Sequence, residues 1–424
     1  MAGITSRIKH SRTVTEQPLS LLNKLAVTSL WLLVFVIPLE NVVIPGVGLL
    51  SIVVGMVATG ICVLAIIERG SVRPLNMGHA LMGLFVLWAV VSYLWSHDRD
   101  GTLVLAAVYV RMLLMVWLIW QLSSEAGQPL RLLQAYVLGT FAAGVDTIYQ
   151  FVRQNEAAYQ RYAGAGANPD DLGLMMALSV PIAYCFFIQL RGRVRWLYGA
   201  HMALAATTIL LSATRGAALA VAVALVIVPA TAARLKWRQM AAILLTAAVI
   251  VGAGLFVAPE SSRERLATIP QEFAGGSLSG RTPIWAAGVE LFRQHPFMGV
   301  GAGAYRESVR QILIVGEVAH NTFLSIVVEL GVVGLAIFCA LLGALLICAI
   351  DLPWLPRRLW LVCSAVWLLG VSNLTWEMRK PTWLFFGLLL AHHGSVREPL
   401  ARKVCLRPRV PHPSSLAVPT QSIA

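Results

Sequence analysis

The sequence predicts an all-α polytopic membrane protein, and three observations carry that prediction. Apolar residues make up 58% of the 424-residue chain and charged residues only 12%, with a mean hydropathy of +0.74, far outside the range of soluble globular domains. The apolar residues gather into runs close to the roughly 20 residues that a helix needs to cross ~30 Å of hydrocarbon with its backbone bonded internally. Basic residues concentrate in alternate connections between the runs, as the positive-inside rule expects.

Taken in order, the runs are Leu21 to Leu39, Val47 to Ile67, His79 to Trp95, Thr102 to Leu122, Leu130 to Phe151, Leu172 to Leu190, Trp196 to Ala213, Ala217 to Ala233, Met240 to Val257, Thr322 to Ile350, Leu359 to Leu374 and Pro381 to Val396. That is about twelve helices, the last of them short. The organisation that follows is a cytoplasmic tail over residues 1–20, nine helices over 21–257, an outer loop over 258–321, three helices over 322–396, and a basic cytoplasmic tail over 397–424. No small-residue cleavage site follows the first run, which reads as a retained anchor.

With the N-terminus inside, the inner connections collect Arg69, Arg73, Arg131, Arg191, Arg193, Arg195, Arg234, Lys236, Arg238, Arg357 and Arg358, Lys24 lies at the inner end of the first run, and the tails add Arg7, Lys9, Arg12, Arg397, Arg402, Lys403, Arg407 and Arg409. The outer connections are close to neutral. The net charge of +13 is therefore topological, and both termini are expected on the cytoplasmic side. A pI near 9.9 does not signal nucleic-acid binding here, because the cations are spread over short loops rather than gathered into one face with interleaved aromatics. The proline-containing tail after Val396 reads as a disordered segment near anionic lipid. The six cysteines have no C-x-x-C spacing, so neither a disulfide framework nor a zinc site is indicated.

Two outer segments are long enough to build a site: Val152 to Asp171 and Ala258 to Asn321. In the second, Thr282 followed by Pro283 reads as a helix N-cap with proline at the first helical position, and His295 and Pro296 end that helix. Ile284, Trp285, Leu291 and Phe292 recur along it at helical spacing, as on a helix lying at the membrane interface. The glycines of GVGAGAY are read as a tight reversal of the chain rather than a nucleotide loop, since no strand precedes them. A second short amphipathic helix follows, on which Arg306 and Arg310 share a face one turn apart.

The charged residues inside runs need partners, because an unpaired charge at such depth costs at least ~2.5 kcal/mol. Arg111 and Glu329 are expected to face the bundle and pair with each other, while Asp146, nearer a helix end, is placed to orient a cationic group. Asp98 and Asp100 form a D-x-D, an arrangement that can hold a divalent ion on a phosphate, but Arg99 between them and the short loop read as a solvated turn. Asp170 and Asp171 read as helix N-cap residues.

The run GRTPIWAAGVELFRQHPFMGVGAGAYR followed by AHNTFLSIVVELGVVGL resembles the O-antigen ligase and polymerase superfamily of bacterial envelope glycosyltransferases, and RYAGAGANPDDLG and LSATRGAALA resemble two further motifs of that family. The resemblance spans most of Arg161 to Phe338. It implies an integral-membrane (GT-C-like), metal-independent transferase with no cofactor, working at the periplasmic face of the bacterial inner membrane. It implies a glycan donor linked to undecaprenyl diphosphate, with lipid A-core, a growing glycan or a protein as acceptor. The family's functional histidine and arginines fall on His320 and on Arg215, Arg281 and Arg161. Without an appended soluble domain, a lipopolysaccharide ligase or a polymerase is expected before a protein-glycosylating enzyme, and the ligase is preferred.

The residue types suit that chemistry. Histidine, with an unperturbed pKa of about 6.5, is available as a neutral base on an acceptor hydroxyl, and arginine binds phosphate oxygens two at a time. The bland reading of His320 is an interface histidine bonded to backbone, and of Arg215 a snorkelling arginine; Asn321 caps the following helix. Arg306 and Arg310, as a pair able to grip a diphosphate, and Asp146 are the further candidate substrate contacts. A glycolipid transporter or flippase is the alternative from another class, set against the lack of an evident internal repeat and the gathering of polar groups at the outer face.

Overall fold

A computed structural model describes residues 20–125, 127–156, 161–222, 260–268 and 280–405. It is a helical bundle: α1 (Leu21–Val36), α2 (Leu50–Arg69), α3 (Met77–Val91), α4 (Arg99–Leu122), α5 (Gln128–Val152), α6 (Pro169–Gln189), α7 (Arg195–Ser212), α8 (Glu260–Ala267), α9 (Arg281–Gln294), α10 (Tyr305–Leu313), α11 (Thr322–Ile350), α12 (Trp354–Val371) and α13 (Lys380–Cys405). Among the described residues the only sheet is a hairpin of two two-residue strands, β1 (Val43–Ile44) and β2 (Gly48–Leu49).

Among the described residues, six helices are long and apolar enough to cross a membrane: α1 and α3 with the short turns that extend them, α2, α4, α6 and α11. The fold class is thus an all-α membrane protein. Helices α5, α7, α12 and α13 fall on further expected spans but are less apolar. The expected span Met240 to Val257 lies outside the described residues, as does most of Ala217 to Ala233, of which residues 217–222 are helical. The last helix does not stop near Val396 but runs on to Cys405.

Along the bundle, α6 packs on α7, α1 on α2 and α5, α13 on α4, and α11 on α3. The interior is aromatic, with Phe85, Tyr109, Tyr136, Phe338, Trp360, Trp376 and Trp383 fully buried. In lipid this packing is driven by close contact rather than by escape from water. Leu64, Ile67, Leu87 and Val104 stay exposed on the outer faces, as lipid-facing side chains do.

Polar contacts collect at the two ends of the bundle. At one end Arg69 and Arg73 bond around Gln121, and Arg397 pairs with Asp351 at 2.9 Å. At the other, Lys380 reaches Glu40 at 3.0 Å and Arg379 reaches Asp171 at 2.7 Å. These groups lie at opposite ends of the helices that carry them.

The segment Thr322 to Ile350, expected to be one uninterrupted helix, is broken at Gly331, whose φ of 68° and ψ of −173° are far from helical. The backbone groups freed at the break are taken up by the glycine segment before α10. Val300 N–H donates to Val328 O at 3.0 Å, Gly301 N–H to Glu329 O at 2.8 Å, and Val332 N–H to Pro296 O at 2.8 Å. Non-helical backbone at such a position is tolerated because protein, not lipid, satisfies it.

Candidate active site

The site is built around the first turns of α11 and α6. His320 ends the segment between α10 and α11 with φ +47°, a left-handed conformation uncommon outside glycine. It turns the chain so that Asn321 caps α11, its side chain accepting from Leu324 N–H at 3.0 Å. The cap expected of Asn321 is therefore present.

The link between α12 and α13 is stitched to this turn. Asn321 Nδ2 donates to Ser372 O at 3.2 Å, Thr322 Oγ1 donates to Leu374 O at 2.8 Å, and Trp376 N–H donates back to Thr322 Oγ1 at 2.8 Å. From the other side, Trp285 on α9 donates its indole N–H to Ala319 O at 2.8 Å. Arg281, one turn earlier on the same face of α9, extends Nη1 to Asn373 Oδ1 at 3.4 Å. That helix starts after Gly280, in the left-handed region, rather than with the expected Thr282 cap.

Helix α6 is capped by Asn168, whose Oδ1 accepts from Asp170 N–H at 2.8 Å, with Pro169 at its first position. Asp170 and Asp171 are thus first-turn residues and not the caps expected of them. Because Asn168 does the capping, both carboxylates are left for cations. Asp170 receives Arg161 Nη2 at 2.7 Å and Nη1 at 3.3 Å. Asp171 receives Trp376 Nε1 and Arg379 Nη2, each at 2.7 Å.

Arg161 is enclosed, with Nε donating to Ser212 O at 2.6 Å and Nη2 also reaching Thr214 Oγ1 at 3.1 Å. It ties its loop to α6 and to the reversal after α7, where Ala213 has φ +49°. Arg215, half-buried, opens the helical stretch that follows. Its neighbour Gly216 packs on Asn373, the residue that Arg281 reaches. The structure therefore assembles His320, Arg281, Asn373, Asp170 and Arg161 at one end of the bundle, with Arg215 beside Gly216, which packs on Asn373.

The imidazole of His320 is half-buried and its pKa lies below the ordinary histidine value. Burial is the main cause and the positive charge of Arg281 adds to it, while Asp170 and Glu317 act in the opposite sense. A neutral imidazole beside an arginine can accept a proton while the arginine binds an anion.

Three expectations change. Asp146 takes Ala165 N–H at 2.6 Å and so positions the 161–168 loop on the end of α5; its carboxylate holds backbone instead of orienting a cation. The glycine beside it, Gly164, has no room for a side chain against α5. Arg306 and Arg310 do not form an open clamp: Arg306 Nε donates to Gly316 O at 3.0 Å, and Arg310 pairs with Glu307 at 2.6 Å. Arg111 and Glu329 do not pair. Arg111 is exposed and bonds Ala107 O of its own helix, while Glu329 is buried and accepts from Gly303 N–H at 2.8 Å and Tyr305 N–H at 3.3 Å.

The glycines of the GVGAGAY segment do reverse the chain, with φ of 70°, 103° and 77° at Gly299, Gly301 and Gly303. Asp98 caps α4, accepting from Gly101 N–H at 2.9 Å. What the sequence reading passed over is the LTWEMRK link, which supplies Asn373's neighbours, Trp376, Glu377, Arg379 and Lys380 to this end of the bundle. Its signal was a short polar stretch holding two cations and an acid between two apolar runs.

The histidine, arginines and carboxylate thus gather where polar links meet helix ends in an all-α membrane protein. Residues 200–339 match the family model described as O-antigen ligase. The chain is also 26% identical over 292 residues to the "Exopolysaccharide production protein ExoQ" of Rhizobium meliloti (strain 1021), an alignment covering 61% of this chain and 62% of that relative's length. Both comparisons are similarities to the O-antigen ligase-like superfamily and support the resemblance carried by the motifs. The matched residues include Arg215, Arg281 and His320; Arg161 precedes them.

Proposed function

We propose that this protein is a glycosyltransferase that moves a glycan from undecaprenyl diphosphate to an acceptor hydroxyl at the periplasmic face of the bacterial inner membrane. The observation that carries the reading is the gathering, at one end of a membrane bundle, of half-buried His320 with Arg281 and Asp170, whose charges both act on its imidazole. In the reaction, His320 takes the acceptor's hydroxyl proton as that oxygen bonds the anomeric carbon of the donor. The bond from that carbon to the diphosphate breaks, and the electron pair leaves with the diphosphate. Arg281 and Arg215 supply the positive charge that stabilises the leaving anion, and Arg161 shapes the site from behind Asp170.

The O-antigen ligase description of the matched family supports lipid A-core as the acceptor. A second reading, polymerisation of an exopolysaccharide, draws support from the printed name of the Rhizobium meliloti relative. Deleting the gene and resolving the envelope polysaccharides on a gel separates them. Loss of all capped lipopolysaccharide is expected for the ligase. Lipopolysaccharide capped by single repeats, or loss of a free polymer with lipopolysaccharide intact, would assign the polymerase instead, and movement of labelled glycolipid across proteoliposomes without transfer would assign a transporter.

A further inference from the structure

The two first turns that frame the site are pinned to each other by short contacts. Asp171 accepts from Trp376 Nε1 at 2.7 Å, and Trp376 N–H donates to Thr322 Oγ1 at 2.8 Å. Asp170 and His320 stand just outside the two ends of that bridge. Asp170 is itself held from behind by both Nη atoms of Arg161, whose remaining bonds go to Ser212 and Thr214. The carboxylate thus cannot rotate freely, yet its side chain is still 26% exposed.

From this geometry we infer that Asp170 is a positioning residue for His320: its fixed carboxylate steadies the imidazolium that forms when the acceptor hydroxyl gives up its proton. The inference rests on the reading of His320 as the base. Asp170 stays ionised throughout, and the proton remains on the imidazole until it is lost to solvent. The effect is that of a fixed opposite charge near the imidazole, which favours its protonated form, with Arg161 keeping that charge in place. The charges that act on the imidazole come from Arg281 on α9, Asp170 on α6 and Glu317 in its own segment. Of these, Asp170 alone is clamped by a buried arginine among the described contacts.

The test is Asp170→Asn, which keeps an oxygen for Arg161 but removes the charge. The first readout is a histidine NMR titration of the full-length protein in nanodiscs. The chain has nine histidines, so the His320 resonance is assigned by its loss in His320→Ala. Removing a negative charge disfavours the imidazolium, so the titration midpoint should move to lower pH in Asp170→Asn and return in Asp170→Glu. A midpoint that stays put or rises overturns the inference.

The second readout is transfer from lipid-diphosphate glycan in proteoliposomes. Turnover should fall by about tenfold or more with the donor KM little changed, and the acid limb of the rate should shift to lower pH. A structural role alone would lower the amount of folded protein and leave the limb where it was. If His320→Ala retains turnover, the base reading fails and this inference falls with it. If His320→Ala is inactive while Asp170→Asn matches wild type in limb and midpoint, only the role of Asp170 is wrong. Should Asp170→Asn not insert, Asp170→Ser is carried through the same two measurements with the same expected shifts.

Discussion

Trp285 donates its indole N–H to the carbonyl of Ala319 at 2.8 Å, a bond that ties α9, which carries Arg281, to the turn that carries His320. The side chain is half-buried, so its ring supplies packing and its N–H supplies register. Trp285→Phe keeps most of the packing and removes the register. With a net hydrogen bond worth about 1 kcal/mol, the variant should reach the membrane at wild-type levels while glycan transfer drops by about tenfold, since small misplacements of reacting groups are costly. Wild-type turnover in this variant would detach α9 from the site.

Glu329 and Arg111 should behave independently. Glu329 satisfies the N–H groups of Gly303 and Tyr305, so Glu329→Ala strands buried donors at about 1–3 kcal/mol each. Arg111 lies on the exposed side of α4, and Arg111→Leu should leave the unfolding temperature nearly unchanged. Thermal unfolding in detergent of both single variants and the double variant should give losses that add to within about 0.5 kcal/mol. A double variant more stable than Glu329→Ala alone would restore the pairing.

The break in α11 should be intolerant of side chains. At Gly331, with φ of 68°, a Cβ would collide with the backbone of Phe297, and at Gly301 it would collide with Ser96. Gly331→Ala and Gly301→Ala each combine strain with overlap, for an expected cost of at least ~1–3 kcal/mol. Gly343, with open space around its Cβ position, provides the control, and Gly343→Ala should express as wild type. Comparable expression of all three variants would argue against the docked loop.

The pH dependence of transfer follows from the environment of His320. Burial and Arg281 hold its pKa below the ordinary value, so the neutral, proton-accepting form persists to lower pH than for a free histidine. The rate should therefore be flat through neutrality and fall on acidification, with a midpoint below about 6.5. His320→Ala should lose ~100-fold to 10,000-fold in turnover. A rate that declines from pH 8 downward would mean a base with an ordinary or raised pKa.

The outer arginines should divide by location. Arg281→Ala should weaken donor binding and turnover together, whereas Arg310→Ala, which breaks only an exposed pair with Glu307, should change transfer less than about twofold. Since arginines supply the cationic charge in the proposed mechanism, transfer by the purified protein should survive excess chelator. Activity abolished by chelator and restored by magnesium would direct attention to Asp98 and Asp100.

The sequence by itself determined the class of this protein and pointed to the outline of the chemistry proposed for it. Length and apolarity are local properties of a run, and a helix that satisfies its own backbone needs no partner to be recognised. The histidine, the outer arginines and the family they resemble were legible for the same reason, being written in contiguous motifs. The two amphipathic helices α9 and α10 and the reversal at Gly299, Gly301 and Gly303 were equally readable from spacing and residue type.

Only the tertiary structure decided which charges meet. Arg111 and Glu329 seemed matched because both sit in apolar runs, but hydropathy does not record which side of a helix faces lipid. Asp170 and Asp171 looked like caps until Asn168 took that role and released them to Arg161 and Arg379. The break at Gly331 was hidden in the most apolar stretch of the site region, because its cause lies in a loop some thirty residues earlier that supplies the missing hydrogen-bond partners. The LTWEMRK link became part of the site only through bonds to Thr322 and Asp171. Contacts of that kind depend on how helices pack, and packing is a property of the whole chain rather than of any segment.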